Sequence, residues 1–153
     1  MKMTLLLTGL LLATTVSAFD QIYLDRLLKT NQCHHCSLDG ADLSDQDLNA
    51  ADLSESNLKG INLSNAKLVG AWFTHSRLHK ANLEGADLSD ALLDYAVFDG
   101  ANLTNANVTG AQMIFTDLSN ANLTGVNLDK AIQRGIKYCN TLMPDGTINN
   151  SSC

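Results

Sequence analysis

Aromatic residues are scarce: one Trp, three Tyr and four Phe make up 5% of 153 residues. Ordinary globular cores draw much of their buried area from such rings, so a core here must be assembled from smaller side chains. Basic residues are also few, with 10 Lys and Arg against 16 Asp and Glu, a formal charge of −6. Phosphates attract the opposite sign, so a nucleic-acid backbone is not expected as a partner. Beyond residue 18 no long apolar run occurs, and no membrane association is expected of the part that follows. Glycine-rich phosphate loops, a nucleophile elbow and His-Glu-x-x-His are all missing, which leaves no recognisable catalytic or cofactor motif.

What is present begins with a leader. Lys2 supplies a positive charge, and Leu5, Leu6, Leu7, Leu10, Leu11 and Leu12 form an apolar stretch too short to span a bilayer. Val16-Ser17-Ala18 places small side chains where a signal peptidase needs them. Residues 1–18 are therefore expected to be a cleaved signal peptide, and the product to be exported, with the periplasm or the medium as destination. Losing Lys2 leaves nine basic residues against 16 acidic ones, a formal −7. All four cysteines follow the leader, as suits an oxidising compartment.

From Cys36 to Lys130 the chain reads as 19 consecutive five-residue units without insertion. Ala41-Asp42-Leu43-Ser44-Asp45 and Ala121-Asn122-Leu123-Thr124-Gly125 are typical. The middle slot is Leu in 15 of the 19, and Phe73, Phe98, Val108 and Met113 fill the rest. Five is neither the helical period of 3.6 nor the strand period of 2. Within a unit, however, the first and middle slots lie two apart and point to one side, as in a strand. The polar pair that follows, often ending in Gly or Asn, is turn chemistry. Repeating such a step and turn makes a coil with flat sides and corners.

Tandem A(D/N)LXX units resemble the pentapeptide-repeat family. The resemblance implies an all-β fold, a right-handed quadrilateral β-helix with four units per turn and the first and middle slots facing inward. Small inner residues suit a narrow lumen, which accounts for the shortage of aromatics. A solenoid also needs caps at both ends. Residues 19–35 are read as an N-terminal helical cap, with Asp20 as N-cap and Phe19 stapled to Leu24. Residues 36–130 are the β-helix. The five-residue register is expected to fail after Leu128, since the next middle slot is Gln133. Residues 131–153 then form a C-terminal hairpin cap around Met143-Pro144-Asp145-Gly146, a type I turn pattern. The Cys-x-x-Cys lead-in and this tail also resemble segments that flank the repeats in some exported members.

Cys139 and Cys153 bracket the hairpin, and a bond between them would close a loop of about 15 residues. Cys33 and Cys36 occupy a middle slot and the next first slot, both inward. Two thiols and two imidazoles in Cys33-His34-His35-Cys36 have the ligand types for zinc, but adjacent ligands cannot readily surround one ion. Ser37 stands where a haem-attachment box needs His, and a redox role needs a βαβ setting that is lacking. All four cysteines are read as structural disulfide candidates, with no metal and no cofactor. The Asp and Asn of the second slot are read as a solvated face.

Residues 20 apart stack in a four-unit coil, so outward slots can be sorted by face. On the face carrying Leu53, Phe73, Leu93 and Met113, large groups replace the usual polar ones: Trp72, His75, Leu92, Tyr95, Ile114 and Phe115. An apolar patch rimmed by polar residues marks an interface. The expected function is thus a non-enzymatic, rigid protein-binding or scaffold module, self-association included. The alternative, a DNA-mimic inhibitor of a topoisomerase, is implied by acidic members of the family; the leader and the cysteines argue against it.

Overall fold

The computed structural model describes residues 20–153; the leader and Phe19, with its staple to Leu24, lie outside them. The chain winds as a four-sided coil in which second-slot residues pair with those 20 positions on. Parallel bridges run down each face, as in Asp42↔Asn62, Asn62↔Asn82, Asn82↔Asn102 and Asn102↔Asn122. Each side is too short for a long strand, so second-slot residues carry the ladder. Asn82 donates its amide to the Ile61 carbonyl at 2.9 Å, and Leu63 donates to the Asn82 carbonyl at 2.7 Å.

Corners follow from the last two slots. The amide of a first-slot residue donates back to the preceding middle carbonyl, as Ala81 does to Leu78 at 3.0 Å. Last-slot residues adopt positive φ, for example Gly40 at 72°, Asp45 at 59° and Asn65 at 55°. A turn with positive φ at its third position is of the type II class, which favours Gly and Asn.

The second slot has a structural task beyond solvation. Asp42 Oδ1 accepts from both the amide and the hydroxyl of Ser44, at 3.1 and 2.7 Å. Asn102 with Thr104, Asn107 with Thr109 and Asn122 with Thr124 repeat this Asx turn. The Asp/Asn-Leu-Ser/Thr wording of the repeat is the signature of these bonds. Asparagines also bond along the column: Asn62 donates to Asp42 at 2.9 Å and Asn82 to Asn62 at 3.2 Å.

Inside, every middle slot from Leu38 to Leu123 is buried, together with the first-slot alanines. Removing a leucine side chain from water contributes about 1.5–3 kcal/mol, and this stack of small units supplies what aromatics do elsewhere. The small hydroxyl residues of the first slot are buried too and bond to carbonyls, Ser56 to Cys33 at 2.7 Å, Thr116 to Leu93 at 2.9 Å and Thr141 to Leu118 at 2.7 Å, whereas Gln46 is exposed.

Both ends differ in extent from the sequence expectation. At the N-terminus α1, Gln21–Thr30, is capped by Asp20, which accepts from the Ile22 amide at 2.9 Å, and ends at Asn31 in the left-handed region. Leu27 is buried against the coil, with Tyr23 and Leu24 half-buried beside it. The coil itself starts before Cys36, because Gln32 already bridges Asp52. At the other end the backbone register does not fail after Leu128. A short 3₁₀ turn, Leu128–Lys130, disturbs one side, and then β1, Gln112–Ile114, pairs with β2, Ile132–Arg134, with Met113 opposite Gln133. Lys137 and Leu142 keep the 20-residue step from Asp117 and Asn122. Leucine is absent from these last middle slots because nothing stacks beyond them. Gln133 instead donates to the Leu128 carbonyl at 2.7 Å and accepts from the Tyr138 hydroxyl at 3.2 Å.

The chain closes with an antiparallel hairpin, β3 Thr141–Leu142 against β4 Ile148–Asn149. Gly146 donates to the Met143 carbonyl at 3.0 Å across the turn and has φ of 83°. Two disulfides are formed, Cys33–Cys36 and Cys139–Cys153, and no described cysteine is free.

The hydroxyl and amide of Thr147 donate to Asp145 and hold its carboxyl below the usual range; Ser44 does the same for Asp42. Both depressed values favour the folded state above the unfolded carboxylate range, and that stabilisation is lost as pH falls through the folded values. The melting temperature is therefore expected to decline as pH drops below about 4. In Asp145→Asn, which keeps the acceptor but cannot titrate, the acid decline should be shallower; an identical acid limb would dismiss this role.

Candidate interaction face

One of the four sides breaks the polar rule of the exterior. Its second-slot column runs Gln32, Asp52, Trp72, Leu92, Gln112, Ile132 in continuous bridges and strand pairing. Its corner column carries His75, Tyr95 and Phe115, which stack ring on ring. The His75 and Tyr95 centroids are 4.8 Å apart at 11°, and those of Tyr95 and Phe115 are 5.3 Å apart at 25°. The Arg134 guanidinium lies 5.6 Å from the Phe115 ring centroid. Beneath it comes Gly135, where a Cβ would sit 2.6 Å from the Phe115 ring. The column thus needs glycine there, both for φ of 63° and for the space.

These rings occupy corners at φ of 59°, 57° and 55°. Left-handed backbone costs a residue with a Cβ roughly 1–2 kcal/mol, and stacked rings return about 0.5–1.5 kcal/mol per pair. Stacking therefore offsets the corner cost without a large surplus, and stability alone does not account for aromatics in place of the glycines used at other corners.

Trp72, Tyr95 and Phe115 keep 51%, 48% and 47% of their surface exposed, and His75 is exposed as well. Leu92 and Ile114 are only half-buried, wedged within the columns. All six residues singled out in the sequence thus share one side, four as exposed groups and two as its floor. Sequence reading missed Ile132, 57% exposed, and Arg134 on the same side. Continuing the 20-residue step from Gln112 and Ile114 past residue 130 would have found both.

Carboxylates edge the face. Asp94 accepts from the Ile114 amide at 2.9 Å and from the Gln112 side chain, which fixes it between Leu92 and Ile114. Asp52 and Glu55 lie at its upper end.

A cleft of about 770 Å³ lies elsewhere, between residues 125–129 and the hairpin. Its titratable lining is Asp129 and Asp145, and Asp145 is engaged by Thr147. That lining offers no nucleophile–base pair. No helix among the described residues is long and apolar enough to cross a membrane.

Comparison with known proteins agrees with this geometry. The pentapeptide-repeats family model matches in eight copies over residues 32–65, 56–94, 81–114 and 96–132. No curated protein matches. Among solved structures, the pentapeptide-repeat protein Rfr23 from the cyanobacterium Cyanothece 51142 is 30% identical, with a TM-score of 0.77, over 80% of this chain and 98% of that one. A pentapeptide-repeat protein of the Arabidopsis thaliana thylakoid lumen is 38% identical, with a TM-score of 0.59, over 64% of this chain and 66% of its own. Protein alr5209 from Nostoc PCC 7120 is 28% identical, with a TM-score of 0.58, over 76% of this chain and 91% of that one. With its four-sided coil, its inward leucines and these matches, the chain belongs to the pentapeptide-repeat family.

Proposed function

We propose that this protein is a non-enzymatic, exported binding module that captures a partner protein on the face bearing Trp72, His75, Tyr95 and Phe115. The observation that carries the reading is the stacked aromatic column exposed on an otherwise polar solenoid. Trp and Tyr at the centre of a patch are the usual anchors of protein interfaces. A rigid coil presents them with little ordering cost on binding. Export is supported by the leader sequence and by two disulfides, which persist in oxidising compartments.

The partner is a different protein that offers an apolar strip flanked by Arg or Lys. Asp52, Glu55 and Asp94 edge the face, and two copies at −7 would repel one another. The test uses the leaderless protein with a photo-crosslinking residue at position 92, inside the patch. The captured partner is purified, and its affinity is measured for the parent protein and for Trp72→Ser/Tyr95→Ser. Loss of two anchors should weaken binding at least tenfold, and salt should weaken what remains. Unchanged affinity in the double variant removes the face. A parent protein that sediments as a dimer through this patch replaces the foreign partner with a second copy.

A topoisomerase-directed DNA mimic needs carboxylates in continuous rows, as phosphates are on a duplex. Here the second-slot columns break such rows: Asp42 is followed by the neutral Asn62, Asn82, Asn102 and Asn122 on one side, and Asp47, Lys67, Asp87 and Asn107 mix charges on the next. The leaderless protein is accordingly expected to leave gyrase supercoiling unchanged at micromolar concentration.

A further inference from the structure

We infer that His34, His35 and Glu55 form a binding site for a divalent ion of the zinc type at the N-terminal end of the coil. The three side chains are exposed, and their ligand atoms all lie within 4.8 Å of one another. His35 Nδ1 is 3.5 Å from Glu55 Oε2, and His34 Nε2 is 3.9 Å from Glu55 Oε1. An ion held tetrahedrally at about 2.0–2.2 Å from N and O ligands separates those ligands by roughly 3.4 Å. The two pairs reach different oxygens of Glu55, the first already at that spacing and the second within about half an ångström of it, so a turn of the carboxylate is needed to set one oxygen against both nitrogens.

The objection raised by the sequence, that neighbours in a chain cannot surround an ion, does not apply to this arrangement. Only the two imidazoles come from the lead-in. The carboxylate rises from the next coil, one corner below His35. The sulfurs of Cys33 and Cys36 are bonded to each other and are not ligands. Three protein ligands then leave one position for water, the pattern of an open site.

An independent observation is that His34 is already oriented for coordination. Its Nδ1 lies 2.9 Å from Ser54 Oγ, while the Ser54 hydroxyl donates to Asp52. With its one proton committed to Asp52, Ser54 Oγ can only accept. Nδ1 of the neutral imidazole therefore carries the hydrogen, and Nε2 turns its lone pair toward Glu55. A carboxylate acting through a hydroxyl on the far nitrogen is the outer-shell support that metal-bound histidines use.

The backbone beneath is rigid. Cys33–Cys36 closes a loop containing only the two histidines. Cys33 N donates to the Asp52 carbonyl at 2.7 Å and His35 N to the Ser54 carbonyl at 3.1 Å, which tie that loop to the coil bearing Glu55. Two imidazoles among three donors favour zinc, copper and nickel over magnesium or calcium. The bound ion joins the lead-in loop to the second coil, at the head of the corner column that continues into His75, Tyr95 and Phe115. Asp52 and Glu55 also edge the proposed partner face, but the site rests on its own geometry and its test involves no partner.

The experiment is a zinc chloride titration of untagged, leaderless protein by calorimetry, with native mass spectrometry for stoichiometry. One ion per chain at micromolar affinity is expected. Glu55→Gln and His34→Ala should each weaken binding at least tenfold, and Asp52→Asn should weaken it through His34 while leaving the three ligands in place. Cys33→Ser/Cys36→Ser should also bind more weakly, because the loop is released. His79→Ala, on another side and beside Asp99, should bind as the parent does. Circular dichroism of each variant checks that the coil is intact. A folded parent that takes up no zinc at 100-fold excess, or a folded Glu55→Gln that binds equally well, overturns the site.

Discussion

Leu83→Asp is expected to abolish the folded coil, while Asn82→Ser, one position away, should shift its melting temperature by only a few degrees. Leu83 is fully buried in a middle slot halfway along the solenoid. Its own amide, 2.7 Å from the Asn102 carbonyl, and its neighbours' amides close the ladder around it. An unpaired carboxylate inside such a lumen costs several kcal/mol even after relaxation or protonation. Whole-domain stability is about 5–15 kcal/mol. Leu83→Ala removes the side chain without adding charge and should cost about 2–5 kcal/mol.

The position in the stack makes the loss larger than a local one. Each coil contacts only its neighbours, so a broken middle coil leaves two fragments, neither with both caps. Asn82, in contrast, points outward. Its side chain accepts from the Glu84 amide at 3.2 Å and donates to Asn62 at 3.2 Å, and serine keeps one of these functions. Far-ultraviolet circular dichroism and thermal melts of the three variants decide the matter. A folded Leu83→Asp with a melting temperature near that of the parent would mean that the lumen is wet, and the packing account would fail.

Much of this architecture was legible in the sequence because the repeat carries its own geometry. Leu at every fifth position and Ala two before it announced an inward pair, and most of the 35 buried apolar side chains among the described residues occupy those two slots. The six large outward groups were found by the 20-residue step alone. The ends were less legible for one physical reason. The leucine signal reports burial between two coils, whereas the backbone ladder needs no leucine to continue. Gln32 bridges Asp52, and Ile132–Arg134 pairs with Gln112–Ile114, beyond the units that the leucines mark. Ile132 and Arg134 therefore escaped notice on the very face that the sequence had picked out.

The second-slot residues do face solvent, as read, but their structural task is not visible in the sequence for a related reason. Asp and Asn in that slot looked like solvent-facing decoration, because composition does not reveal a bond to the amide two residues on. Once the Asx turns are seen, Asp42 with Ser44 and Asn102 with Thr104 become corner-makers. The cluster of His34, His35 and Glu55 is reached by the same 20-residue step, from Glu55 back to His35, but only when that step is carried above Cys36 into the lead-in.

The second large effect is expected at the C-terminal cap. Cys139→Ser/Cys153→Ser should lose about 3 kcal/mol, as the closure of a 15-residue loop implies. By the same relation the four-residue loop of Cys33–Cys36 contributes only about 2 kcal/mol. The cap is also where loss spreads. Residues 131–142 form the last partial coil and carry few buried groups, Thr141 excepted. They are held by Ile132 to Gln112, Lys137 to Asp117 and Leu142 to Asn122, and by the hairpin folded back from Leu142. With the bond gone, the hairpin and then the partial coil should fray, baring the ladder edge that ends at residues 111–123. A bare parallel edge recruits another chain, so the variant should sediment as dimers and larger species while the parent does not. Hydrogen exchange should quicken first over residues 131–153 and leave 41–110 protected. If exchange instead quickens evenly along the solenoid, or if the variant melts where the parent does, the hairpin is an appendage and the coil ends without its help.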